Sequence, residues 1–223
     1  MNFFRNTPIY ALMSGDIKGF FLYILYLLPA LVIAISFHEF AHAWMANKMG
    51  DPTAKNMGRM TLDPVKHFDL WGFLMLILVG FGWGRPVPVN SRNFHNYKKG
   101  NILVSLAGVT TNLILSFVFF GIYVLLAVLG VNSEIISIII LNVVYLNLIL
   151  CFFNLIPIPP LDGHHLIDGW IARRSGAFYA FYHRYGFFVL IAVMMFTDWL
   201  QVALTFLVSN VISLYYLFFG LFV

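Results

Sequence analysis

The chain has 223 residues, of which 61% are hydrophobic, 18% aromatic and 10% charged, and its mean hydropathy is +0.87. These values lie outside the range of a soluble globular domain and indicate a polytopic membrane protein. The net charge of +4 does not point to nucleic acid, because the 13 lysines and arginines fall in short stretches between apolar runs, where the positive-inside rule accounts for them.

The single cysteine, Cys151, lies in an apolar run, so neither a disulfide framework nor a thiolate metal cluster is expected. No cleavable signal is evident, since the apolar run after residue 18 is too long for a signal h-region. Residues 1–18, with Arg5, Asp16 and Lys18 among apolar neighbours, read as a segment lying on the membrane surface.

About 20 apolar residues are needed to cross roughly 30 Å of hydrocarbon. Residues 19–47, 101–130 and 134–155 meet that requirement, and Gly186 to Val223 is long enough for two spans bent near Thr197-Asp198-Trp199, or for one long span and a tail. The apolar run from Leu70 to Trp83 is short and lies between basic stretches, which predicts a re-entrant or interfacial piece. The expected fold is therefore an all-α polytopic membrane protein with about five to six transmembrane helices and a re-entrant segment.

Basic residues cluster around Lys48 to Lys66, Arg85 to Lys99 and Arg173 to Arg184, whereas Val131-Asn132-Ser133 has none. The three basic stretches are expected to face the cytoplasm. The first span then runs inward, with Glu39 and His42 in its cytoplasmic third. His38 lies about 15 Å from the basic end at 1.5 Å per residue.

That span contains Ser36-Phe37-His38-Glu39-Phe40-Ala41-His42. On a helix, residues four apart share a face, so His38 and His42 can turn both imidazoles toward one cation with Glu39 beside them. This is the arrangement of a zinc site with a general base for hydrolysis. In a soluble protein such a match is only moderately specific; in a membrane span, Glu and two His cost several kcal/mol unless they form a site.

A catalytic zinc needs a third protein ligand. The extended motif with a further His is absent, because position 48 is Lys. The best donor stretch is Asn154-Leu155-Ile156-Pro157-Ile158-Pro159-Pro160-Leu161-Asp162-Gly163. Its prolines prevent regular helix, and broken backbone at membrane depth is tolerated only against protein or water. The charge-derived topology puts this stretch level with His38 and His42, which favours Asp162 over an ordinary Asp-Gly turn.

His164 and His165 could replace or assist Asp162, although adjacent side chains point in different directions. His67, Asp63, Asp69, His95 and His183 lie in polar loops, where a solvated surface role is the default. Asn112 and Asn154 are amides near the membrane interior, each either a helix-packing group or a donor to an oxyanion and substrate backbone. Gly80, Gly82, Gly84 and Pro86 suit either a moving gate or close helix packing.

These motifs together resemble the site-2 protease family of intramembrane zinc metalloproteases, in the compact prokaryotic form without PDZ or CBS domain. The matching stretches are His38 to His42, Gly50 to Lys55, Gly58 to Pro64, Phe81 to Asn90, Ser105 to Gly108 and Asn154 to Gly163, in family order over about residues 20–170. Two departures, Val109 where the family usually has Pro and Asp63 where it usually has Asn, fall at positions that supply no ligand.

The resemblance implies one zinc per chain bound by His38, His42 and Asp162, with Glu39 activating water to attack a peptide bond within or near a transmembrane helix. It also implies that Asn154 helps hold substrate or stabilise the oxyanion. Arg85 to Asn90 is expected to form a small membrane-associated β-hairpin, whose exposed edge could receive an unwound substrate. The domain expected is a single integral-membrane unit over 1–223, with a catalytic core at about 19–170 and C-terminal helices at about 185–223. Its expected substrate is a transmembrane-segment protein of the anti-sigma factor or membrane-bound transcription-factor precursor type. It is expected to sit in the cell membrane with its active site nearer the cytoplasmic face.

The rival function is a zinc- or proton-coupled transporter using the same intramembrane His and Asp residues. No internal repeat of the spans supports it, and transport does not require a Glu beside the first of two His. A non-catalytic adaptor is disfavoured because every proposed catalytic position is filled.

Overall fold

The computed structural model describes residues 8–79, 82–173 and 175–221. Ten α-helices follow in chain order among the described residues: α1 (Pro8–Met13), α2 (Ile17–Met49), α3 (Thr53–Asn56), α4 (Pro64–His67), α5 (Leu70–Val79), α6 (Tyr97–Val128), α7 (Glu134–Asn154), α8 (His164–Ile171), α9 (Gly176–Phe196) and α10 (Trp199–Phe219). Five of them, α2, α6, α7, α9 and α10, are long and apolar enough to cross a membrane.

Side-chain caps set most of the starts. Asp16 accepts from Gly19 N–H, Asn96 from Lys99 N–H, Ser133 from Ile136 N–H and Ser175 from Phe178 N–H, each satisfying an amide the first turn would otherwise leave unpaired. The Ser175 cap moves the start of the fourth span to Gly176, ahead of the expected Gly186. The break expected near Thr197-Asp198-Trp199 is present, with Thr197 extended between α9 and α10.

The centre of the fold is α2 packed against α6 and α7, with α10 laid against α7 and α6. On α2, positions 30, 34, 38, 42 and 46 are Ala, Ala, His, His and Ala, all buried. An i, i+4 series of small residues allows close helix approach. The same row carries both imidazoles into the interface. A second cluster, Phe120, Val144, Leu148, Val208 and Tyr215, joins α6, α7 and α10, and Ser116 and Tyr215 hydroxyls pair within it at 2.8 Å.

The expected β-hairpin at Arg85 to Asn90 is not formed: no strand occurs among the described residues. Pro86 and Pro88 have no N–H to give a ladder, and other donors are spent elsewhere. Arg85 N–H bonds His67 O at 2.8 Å, Val87 N–H bonds Glu39 Oε2 at 2.7 Å, and Asn90 N–H bonds Asp51 Oδ2 at 2.7 Å. The chain there is extended yet bonded to side chains and a loop carbonyl.

The expected re-entrant segment is not supported either. Leu70–Val79 is a helix of 10 residues, about half a spanning length, and the chain beyond it lies back against Gly72, where a Cβ would collide with the Trp83 carbonyl. Gly82 and Gly84 also serve close packing, against Gly72 and Ile35. Arg5, Gly80, Phe81 and Arg174, which entered the surface-segment, gate, re-entrant and orientation readings, lie outside the described residues.

Below the carboxyl end of α2 the chain reverses at Gly50, with φ of 109°, a conformation suited to Gly at a helix C-cap. Asp51 follows, fully buried, and accepts from Thr53, from Asn90 N–H and from Asn93 Nδ2. It ties the chain just after α2 to Asn90 and Asn93. Burial raises the Asp51 pKa, but these hydrogen bonds outweigh it and hold the carboxyl below the usual range. Asp51→Ala should therefore cost roughly 2–4 kcal/mol of stability by stranding several donors. Thermal melts in detergent would measure this. The carboxylate's contribution should be full above about pH 4, the unfolded value, and lost as pH falls through the lower folded value.

Candidate metal centre

Among the described residues, one group of three metal-capable side chains converges: His38 and His42 from α2, and Asp162 from the loop between α7 and α8. The Nε2 atoms of His38 and His42 are 2.9 Å apart. Asp162 Oδ2 lies 3.3 Å from the first and 3.2 Å from the second.

The loop is folded to deliver that carboxylate. Asn154 closes α7, and its backbone carbonyl accepts from Gly163 N–H at 2.6 Å, so the excursion over residues 155–162 starts and ends at one place. A Cβ on Gly163 would collide with the Leu155 carbonyl. From outside, α9 supports the loop: Tyr182 donates its hydroxyl to Pro157 O at 2.9 Å, and Gly186 packs against Ile158 and Pro159.

Hydrogen bonding tests whether the three atoms suit a cation. His42 Nδ1 is 2.8 Å from Val104 O, and a carbonyl only accepts, so the proton is on Nδ1 and Nε2 carries a lone pair. His38 Nδ1 lies 2.7 Å from Asn112 Oδ1, which likewise leaves its Nε2 as an acceptor. Asp162 Oδ2 is buried and receives no hydrogen bond. Three lone pairs therefore face one another inside the protein, an arrangement that is costly without a cation and suited to tetrahedral Zn²⁺ with an open position.

Gly108 of α6 makes room. A Cβ there would stand 2.6 Å from both His38 Cε1 and His42 Nε2, so the helix can approach the imidazoles only with no side chain at this position. Gly108→Ala gains roughly 1 kcal/mol in helix propensity. It should nonetheless weaken zinc binding about tenfold or more by displacing the rings; competition with a chromogenic chelator would show this.

Glu39 is half-buried and turns toward residues 85–87, where Oε2 accepts from Val87 N–H. Buried Arg59 holds the same segment, donating from Nη2 to Arg85 O at 2.8 Å and to Pro86 O at 3.2 Å. The extended chain is thereby strapped beside the carboxylate.

The other candidates are placed elsewhere. His164 is committed through Nδ1 to Leu161 O at 2.7 Å and stacks on His165; burial, with His164 beside it, lowers the His165 pKa to about 4. His183 pairs with Asp168 at 2.8 Å. Asp63 and Asp69 cap short helices by accepting from Val65 and Gly72, and His95 is exposed. His67 departs from its expected surface role: it is 1% exposed and bonds Thr61 O, anchoring the loop whose carbonyl receives Arg85 N–H.

Asn147, Val104 and Val87 were not anticipated. The first had a signal in the sequence, a lone amide deep in an apolar span. The others act through backbone atoms, which no residue type announces.

The family model described as Peptidase family M50 matches residues 26–137 and 130–197. The chain belongs to peptidase family M50. Relatives of this M50 protein include the putative zinc metalloprotease YwhC of Bacillus subtilis strain 168, 39% identical over 179 residues, which cover 76% of this chain and 80% of that protein. The putative zinc metalloprotease Rip2 of Mycobacterium tuberculosis is 31% identical over 146 residues, 61% of this chain and 54% of the relative. The putative zinc metalloprotease MJ0611 of Methanocaldococcus jannaschii is 29% identical over 137 residues, 59% and 63% of the two chains. The M50 chain thus spans most of the Bacillus relative and about half of the Mycobacterium one. No solved structure matches it.

Membership bears out the resemblance to site-2 proteases and makes the M50 protein a multi-pass membrane metalloprotease with zinc as its cofactor.

Proposed function

We propose that this M50 protein hydrolyses a peptide bond within or near a transmembrane segment of a membrane-anchored, regulatory protein. What supports the reading is the convergence of His38 Nε2 and His42 Nε2, on a helix long and apolar enough to lie in the bilayer, with Asp162 Oδ2 from the loop that follows another such helix, α7. Those three residues would hold zinc, which supplies Lewis acidity to activate water and polarise a carbonyl when bound.

Glu39 takes a proton from the attacking water and delivers it to the leaving amine as the C–N bond breaks. Asn154, at the end of α7, stabilises the developing oxyanion or holds substrate backbone. Asn112 has both ends of its amide committed to His38 and Asn147, so its contribution is exerted through His38. The extended chain at 85–90 lies beside Glu39 and offers an unwound substrate somewhere to dock. A transmembrane helix protects its peptide bonds by internal hydrogen bonding and must unwind before it is cut.

By the distribution of Lys and Arg, the site lies nearer the cytoplasmic face. The substrate class that fits is an anti-sigma factor or a membrane-bound transcription-factor precursor. Purified protein in detergent should cleave a single-span substrate, lose the activity on removing zinc with a chelator, and regain it with added Zn²⁺. Cleavage unaffected by chelation would refute the metalloprotease mechanism, and zinc flux into sealed vesicles carrying the protein, without cleavage, would favour transport.

A further inference from the structure

Behind the metal-facing imidazole of His38 runs a chain of amides that ends on a backbone carbonyl. Asn147 Nδ2 lies 2.8 Å from Val143 O, one turn earlier on α7. A carbonyl cannot donate, so this contact fixes which end of the Asn147 amide is nitrogen, and its Oδ1 must face the other way. There it meets Asn112 Nδ2 at 3.1 Å, which fixes the Asn112 amide in turn. Asn112 Oδ1 is left facing His38 Nδ1 at 2.7 Å and can only accept. Both asparagines are 0% exposed, so competition from bulk water is minimal.

We propose that Asn147 is a positioning residue for the metal centre. Acting through Asn112, it locks His38 in the tautomer with Nδ1 protonated and Nε2 free to bind a metal. The relay makes the metal affinity of an α2 imidazole depend on an α7 side chain that touches neither imidazole nor metal. The inference rests on zinc binding by His38, His42 and Asp162.

Without Asn147, nothing selects the orientation of the Asn112 amide. A flipped Asn112 would present Nδ2 to His38 Nδ1, moving the imidazole proton to Nε2 and disabling that ligand. Aspartate at 112 has only acceptor oxygens when ionised, so it would hold the ligand tautomer without being oriented by Asn147, as carboxylates behind zinc-bound histidines do.

The test is zinc affinity, measured by chelator competition on detergent-purified wild type, Asn147→Leu and the Asn112→Asp/Asn147→Leu double variant. Circular dichroism and gel filtration would report the fold of each. Asn147→Leu should bind zinc about tenfold or more weakly, and the double variant should recover wild-type affinity. A cavity or packing defect would not be repaired by a change at 112. Asn147→Ala makes the same comparison if leucine disturbs folding.

Unchanged affinity in the folded Asn147 variant, or a double variant as weak as the single one, would overturn the relay. A wild type that binds no zinc would instead overturn the metal-site reading beneath it.

Discussion

Replacing Glu39 with glutamine is expected to lower the rate of peptide cleavage roughly 10²–10⁴-fold, the usual contribution of a general base, while zinc remains bound at one ion per chain. The structure separates the two effects. Glu39 is outside the converging His38, His42 and Asp162 group, and its observed partner is the Val87 N–H. Glutamine retains an oxygen that can accept that bond, so the strap at residues 85–87 should stay in place. What glutamine cannot do is take a proton from water at neutral pH. Single-turnover assays beside metal analysis of the same preparation would check both halves. Loss of zinc in Glu39→Gln would mean that the carboxylate serves the metal directly.

Asp162→Ala is expected to weaken zinc binding more than about 100-fold, beyond the range for residues that only support a ligand. It would leave two imidazole nitrogens 2.9 Å apart and no anion to complete the set.

Only wild type should gain stability from added zinc, by about 4 kcal/mol at a free concentration 1,000 times Kd. Melting curves with and without zinc would show this difference. An equal zinc-dependent gain in both proteins would exclude Asp162 as a ligand.

Much of this was written in local residue patterns. His38 and His42 lie four apart in an apolar run, and that spacing alone puts them on one face of α2. The Pro157, Pro159 and Pro160 cluster announced a break in helix where Asp162 is now found. The split between α9 and α10 was legible from Thr197 and Asp198, because a charged residue in that run interrupts both hydropathy and helix.

The failures came where tertiary contacts decide the backbone's partners. Pro86-Val87-Pro88-Val89 alternates like a strand and is extended, but the Val87 N–H goes to Glu39, and the N–H of the following Asn90 to Asp51, across the fold and not to a neighbouring strand. His67 looked like a loop histidine and is buried because Thr61 O and the Arg85 backbone close around it. The amide relay through Asn147 and Asn112 depends on α6 and α7 packing side by side, which spacing within either helix cannot reveal.

The most direct measurement is to reconstitute the protein in lipid vesicles with a single-span membrane protein and locate the cut by mass spectrometry of both fragments. Intramembrane proteolysis predicts a zinc-dependent cleavage inside or at the edge of the apolar span, absent in Glu39→Gln. Intact substrate with the zinc-loaded wild type, or cutting only in water-exposed loops far from the span, would contradict it.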